Sequence, residues 1–159
     1  MAKLPPLTLS EGDSAPDFCG TVNGGSRVSL ADFRGRHLVL YFYPKDDTPG
    51  CTKEACAFRD VFSEFQKEGV AILGVSTDPV RAHERFAAKY RLSFPLLADE
   101  ERAVVKAYGV WGEKSFLGRT YDGTFRVTFL IGPDGRIKKI WPMVKPAEHA
   151  REVLEAVRS

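Results

Sequence analysis

A chain of 159 residues, 43% apolar and 28% charged, suits one domain, 1–159, large enough to bury a core. Its net charge of +2, with scattered basic residues, gives no case for a nucleic-acid partner, and no apolar run approaches the ~18 residues of a membrane span. Three cysteines do not make a structural disulfide framework, and Met1 to Phe18 lacks the apolar stretch of a signal peptide, so a reducing compartment, the cytoplasm, is the simplest expectation.

In chain order, residues 1–16 read as a surface arm that ends at Ala15-Pro16. Phe18 to Val22 reads as a short strand, Gly24-Gly25 as a turn, and Val28 to Leu30 as the returning strand. Leu30 to Phe33 reads as one helical turn closed by Gly35. His37 to Tyr43 is apolar at nearly every position, which is how a strand buried on both faces reads. Beyond a loop, Phe58, Phe62 and Phe65 fall on one face of a helix running from Cys51 to Lys67, with Gly69 as its stop. Val70 to Ser76 is a second buried strand. Asp78-Pro79 supplies an N-cap and a proline for a helix reaching Tyr90.

Leu96-Leu97 is a short extended piece, and Arg102 to Tyr108 is a further helix. Residues 111–125 read as irregular or hairpin structure. Arg126 to Ile131 and Arg136 to Trp141 pair about the Gly132-Pro133-Asp134-Gly135 turn, and Glu148 to Val157 closes the chain as an amphipathic helix. Strands alternating with helices, followed by a hairpin and a helix, predict a three-layer α/β sandwich with a central mixed sheet.

The chemistry concentrates between the first buried strand and the helix after it, in Tyr43-Pro44-Lys45-Asp46-Asp47-Thr48-Pro49-Gly50-Cys51-Thr52-Lys53-Glu54-Ala55-Cys56. Cys51 falls at the first turn of a helix, where backbone N–H groups lack internal partners and favour a thiolate, the reactive form. Pro44 and Pro49 stiffen the loop. Glu54 has the spacing of a capping-box acid and reads mainly as helix-start structure. Cys19, outside this stretch, reads as a small core residue.

Pro44-x-x-x-Thr48-x-x-Cys51 resembles the active-site signature of the peroxiredoxins. The longer string from Phe42 to Asp60 looks like the bacterioferritin comigratory, or Q-type, subfamily. Leu73-Gly74-Val75-Ser76, Phe94-Pro95-Leu96-Leu97, Tyr108-Gly109-Val110-Trp111 and Arg126-x-Thr128-Phe129-Leu130-Ile131 agree with it in family order. The resemblance implies a thioredoxin-like fold and a thiol peroxidase acting on hydrogen peroxide and organic hydroperoxides, with no metal and no bound cofactor. It implies that Cys51 is the peroxidatic cysteine and that Thr48 and Arg126 assist it, with Pro44 as a shield. Cys56 is then the resolving cysteine, thioredoxin or a similar dithiol the reductant, and the protein a monomer.

The implied pairing of Cys51 with Cys56 has a geometric consequence. Five residues along one regular helix separate Cα atoms by about 8–9 Å, beyond the ~7 Å that a disulfide spans. The helix therefore has to unwind for the bond to close. Two other functions compete with the peroxidase. A general thiol–disulfide oxidoreductase would usually carry Cys-x-x-Cys, which is absent. A redox sensor or chaperone would use the unwinding itself as its output. The two cysteines with His37, His83 and His149 lack the paired spacing of a zinc site.

Overall fold

β3 (His37–Phe42) is the strand that the other elements cover. In the computed structural model, which describes residues 4–159, its side chains alternate into two separate cores. Leu38, Leu40 and Phe42 enter one; Val39, Tyr41 and the following Tyr43 enter the other. A strand presents successive residues to opposite faces, so one that is apolar throughout must be covered on both.

β3 pairs in parallel with β4 (Val70–Ser76), and β4 pairs in parallel with β5 (Leu96–Ala98). On its other side β3 pairs antiparallel with β8 (Val127–Ile131), which turns back into β9 (Ile137–Trp141). With β1 (Cys19–Val22) and β2 (Arg27–Ser29), this gives a seven-stranded mixed sheet in the order β2-β1-β5-β4-β3-β8-β9. β6 (Trp111–Phe116) and β7 (Arg119–Thr124) form a separate hairpin, so residues 111–125 take the second of the two forms expected.

Four helices cover the Tyr41 face: α1 (Pro49–Asp60), α2 (Phe62–Lys67), α3 (Val80–Tyr90) and α5 (His149–Arg158). They bring Phe58, Phe65, Phe86, Val153 and Leu154 into that core. α4 (Ala103–Ala107) and the turn Leu30–Phe33 cover the other face. This is the thioredoxin-like three-layer arrangement expected. Among the described residues no helix is long and apolar enough to cross a membrane.

Three local expectations need correction. The helix expected from Cys51 to Lys67 starts two residues earlier, at Pro49, and is interrupted at Val61, where φ −111° and ψ 13° leave helical values. No glycine or proline marks that break. Asp78 does not cap α3: its Oδ2 accepts from the Asp46 N–H at 2.9 Å and the Ser76 hydroxyl at 2.6 Å, and Pro79 takes the capping position. Cys19 is exposed rather than in the core, because the alternation of β1 turns Phe18 and Val22 inward instead, and Arg27 Nη2 lies 2.9 Å from its sulfur. The described part of the arm is fastened to the sheet: Gly12 and Ala15 donate to Ile137 and Gly135 carbonyls at 2.7 and 2.9 Å, beside β9. It thereby covers part of an edge strand.

Gly74 of β4 lies directly opposite Tyr41 of β3, and a Cβ there would sit 2.9 Å from both Tyr41 Cζ and Leu96 Cδ2. Both neighbours are fully buried, so neither side chain can swing into solvent. Gly74→Ala is expected to cost about 1–3 kcal/mol through overpacking, read as a lower urea midpoint with an unchanged m value. A wild-type midpoint would show that this core yields.

Candidate active site

The parallel strands end together, and the loop after β3 lies at their carboxyl ends, where open α/β sheets form their binding crevices. Thr48 is extended, with φ −101° and ψ 156°, and holds the N-cap position of α1 without a side-chain capping bond. Pro49 follows at the first helical position, where a missing N–H is harmless. Cys51 is therefore the third residue of α1, in the turn whose N–H groups lack helical acceptors. It is 1% exposed.

Arg126 arrives from the opposite direction, one residue before β8. Its Nη2 lies 3.4 Å from Cys51 Sγ, and its Nη1 donates to Glu54 Oε1 at 2.7 Å. Gly50 makes room for this crossing, since a Cβ there would lie 3.1 Å from Arg126 Nη2. Glu54 is fully buried, and its Oε2 has no protein hydrogen-bond partner. The capping-box reading of Glu54 is corrected: with Thr48 as cap, Cys51 holds the third helical position, and Glu54 lies one turn further along, facing inward.

Burial pushes the Glu54 carboxyl up to about 7, against the opposing pull of Arg126. Burial alone would lower Arg126, but Glu54 and Cys51 more than offset it and raise its affinity for the proton. A second cation, Lys114 of β6, is within electrostatic reach. Burial and Arg126 lower its pKa, and Cys51 opposes them. Its Nζ donates to the Thr124 carbonyl at 2.8 Å. No sequence signal distinguished Lys114 from other surface lysines, because its relation to the site exists only once the β6–β7 hairpin folds back.

Thr48 and Pro44 lie in the same loop, each partly buried. The Thr48 hydroxyl donates to the Lys45 carbonyl at 2.8 Å, so its hydrogen is committed within the loop and its oxygen stays an acceptor. Cys56 is five residues on in the same helix, partly buried, and all three cysteines are free thiols. His149 is buried beneath α1: its ring meets Phe58 edge-on at 5.8 Å, and its Nε2 lies 2.7 Å from Thr128 Oγ1. Burial lowers its pKa. Among the described residues no group of three or more His, Cys, Asp or Glu side chains could hold a metal ion.

Residues 11–140 match the model of the AhpC/TSA family. The putative peroxiredoxin bcp of Coxiella burnetii is 48% identical over 148 residues, 93% of this chain and 98% of that protein. Peroxiredoxin Bcp of Escherichia coli K12 is 48% identical over 146 residues, 92% of this chain and 94% of that protein. Among solved structures, the Xanthomonas campestris bacterioferritin comigratory protein, described for its alkyl peroxide reduction activity, superposes with a TM-score of 0.86 at 40% identity, covering 96% of this chain and 97% of that one.

The Glu54 carboxyl binds its proton more tightly in the folded chain, at about 7, than its ordinary value of 4.5. Its contribution to stability is therefore greatest at acid pH and is lost as pH rises through about 7. Glu54→Gln removes that dependence. Its stability relative to wild type should rise between pH 4.5 and 8 by at most about 3 kcal/mol, read from paired urea titrations. Parallel pH curves for the two proteins would contradict the raised carboxyl.

Proposed function

The chain belongs to the AhpC/TSA family and is a thiol-dependent peroxidase, a relative of the Bcp peroxiredoxins, and from that premise we propose that Cys51 is the thiol that meets the peroxide. The observation that carries this is the Arg126 Nη2 to Cys51 Sγ contact of 3.4 Å at the opening turn of α1. A cation and unpaired N–H groups thus converge on one sulfur, the donors that an attacking sulfur and a departing oxygen need.

The thiolate attacks the terminal oxygen of the hydroperoxide. The S–O bond forms as the O–O bond breaks, leaving Cys51 as a sulfenic acid. The other oxygen departs as water or an alcohol and takes a proton from solvent. Negative charge grows on that departing oxygen, and preorganised donors aimed at it lower the barrier. Arg126 and the opening N–H groups of α1 are those donors in this reading. The Thr48 oxygen accepts from the peroxide O–H, and Pro44 shields the thiol from water. The X. campestris relative, described for alkyl peroxide reduction, supports organic hydroperoxides as substrates beside hydrogen peroxide.

Cys56 then attacks the sulfenic sulfur. The products are a Cys51–Cys56 disulfide and one water, and atoms balance without another reactant. Because both cysteines lie within Pro49–Asp60, closing the bond means unwinding α1. The unwound segment presents the disulfide to a dithiol reductant, for which thioredoxin is the chemical match. Both redox thiols lie in one chain, which supports a single-domain monomer, and a sequence with only three cysteines suits a reducing cytoplasm.

One equivalent of hydrogen peroxide added to reduced protein should remove two hydrogens from the intact mass and link the Cys51 and Cys56 peptides within seconds. A single added oxygen on Cys51 would remove Cys56 from the cycle, and an unmodified Cys51 would end the proposal. Arg126→Ala should slow the second-order reaction by about 10²-fold or more, and an unchanged rate would remove Arg126 from the site. Amide exchange should lose protection from Thr52 to Phe58 on oxidation. Equal protection in both redox states would contradict the unwinding.

A further inference from the structure

The loop that opens α1 is fastened from within by a polar cluster for which the chemistry above has no use. Tyr43, Asp46 and His83 are all buried. The Tyr43 hydroxyl donates to Asp46 Oδ1 at 2.6 Å, and Asp46 Oδ2 lies 2.6 Å from His83 Nδ1. The other ring nitrogen, Nε2, lies 3.0 Å from the Leu97 carbonyl oxygen on β5. A carbonyl only accepts, so Nε2 carries a hydrogen. A carboxylate oxygen and a bare imidazole nitrogen repel, so a 2.6 Å approach needs a hydrogen between them as well. The pair therefore holds one proton more than a neutral ring beside a carboxylate and is neutral as a unit. That is the form in which a buried acid and base are tolerated together.

The same loop is fastened at two further points. The Asp46 N–H donates to Asp78 Oδ2 at 2.9 Å, and Asp78 is itself held by the Ser76 hydroxyl at 2.6 Å. Asp47 adopts a left-handed φ of 56°, a conformation that persists in a non-glycine residue only where its surroundings hold it. Its carboxylate takes the Lys89 ammonium and the Tyr90 hydroxyl, each at 2.8 Å. Two consecutive aspartates thus point in opposite directions, one into the core and one to the surface, and both end on α3. Thr48, the cap of α1, follows immediately, and Cys51 is three residues beyond.

We propose that Asp46 and His83 are positioning residues for the Cys51 reaction, and that the hydrogen-bonded pair they form locks the loop that sets Cys51 against Arg126. This rests on the reading of Cys51 as the reacting thiol. A loop shift would carry the first turn of α1 with it, and the 3.4 Å sulfur–guanidinium contact would be lost with a displacement of about 1 Å. α3 gains a role from this: it buries Phe86 and Ala87 as core and uses His83, Lys89 and Tyr90 to hold the catalytic loop.

The test pairs Asp46→Ala with Asp46→Asn in reduced protein, both checked for folding by circular dichroism. It reads the second-order rate with hydrogen peroxide and the pH profile of Cys51 alkylation. Alanine removes both side-chain anchors. The rate should fall about tenfold or more, and the alkylation profile should move to higher pH. Asparagine rebuilds all three bonds around a neutral ring and should recover most of that loss. Nitrogen-15 spectra of wild-type His83 should show both ring nitrogens protonated, and those of Asp46→Asn only Nε2.

Wild-type rate and profile in Asp46→Ala, or equal losses in both variants, would overturn the positioning role. A bare Nδ1 in the wild type beside an ionised Asp46, read from its carboxyl carbon-13 shift, would overturn the shared proton. That spectrum needs no variant, so a misfolded alanine protein does not protect the proposal. A Cys51 inert to peroxide in the wild type would remove the functional reading, while the spectrum would still decide where the proton is.

Discussion

One guanidinium serves two sulfur- and oxygen-bearing partners, and the rest of the site is arranged so that it can. Arg126 sends one nitrogen to a fully buried carboxylate and another to a nearly buried thiol. A lysine could not do this, because an ammonium is a point charge without two divergent donors in one plane. The arrangement also makes Glu54 and Cys51 competitors for one positive charge. When Cys51 is a thiol, Glu54 has the guanidinium as its counter-ion. Burial raises the Glu54 carboxyl to about 7 against the pull of the same guanidinium that touches the sulfur. Lys114 stands further out and adds to the same field.

The helix that presents the thiol must be rigid in one half of the proposed cycle and unwound in the other. Phe58 shows how it is held. Its ring stacks on Tyr41 at 4.8 Å and meets Phe65, Phe94 and His149 edge-on or tilted at about 6 Å. Unwinding up to Phe58 would strip these contacts, worth a few kcal/mol for one buried aromatic ring. The break at Val61 limits the damage, because α2 is a separate helix and Phe65 can keep its place when α1 opens. On the other side, the Asp46–His83 and Asp47–Lys89 attachments hold the loop before Thr48. The segment that the proposed unwinding would rearrange is thus bounded at both ends by contacts that do not involve it.

Much of this was legible in the sequence because it depends on local periodicity and spacing. The apolar run Leu38 to Tyr43 could only be a strand covered on both faces, and Cys51 fell at the opening of a helix, although Pro49, read as loop, is its first residue. What escaped depends on contacts between distant residues. Glu54 looks like a capping acid until Arg126, 72 residues away, is placed beside it. Asp78 has the residue type and the proline neighbour of an N-cap, and it loses that role only because buried donors from Ser76 and Asp46 reach it first. Cys19 falls on the outward phase of a strand too short to show its alternation. The Val61 break has no breaker residue, so no pattern could have located it.

The position of Arg126 is itself a consequence of strand register. β3 and β8 pair antiparallel with Leu38 opposite Ile131, Leu40 opposite Phe129 and Phe42 opposite Val127. The strand that leads out to the Cys51 loop and the strand that leads in from Arg126 therefore meet at the same end of the sheet. A slip of one residue would turn every side chain of β8 to the opposite face. Phe129 would leave the core that holds Phe42 and Tyr108, and Leu130 would leave the one that holds Val39. Both faces of β8 are buried at every position, so neither slip is open to it. Burial on two faces, which says nothing about peroxide, is what fixes the guanidinium beside the thiol: the precision of the site is inherited from the core beneath it.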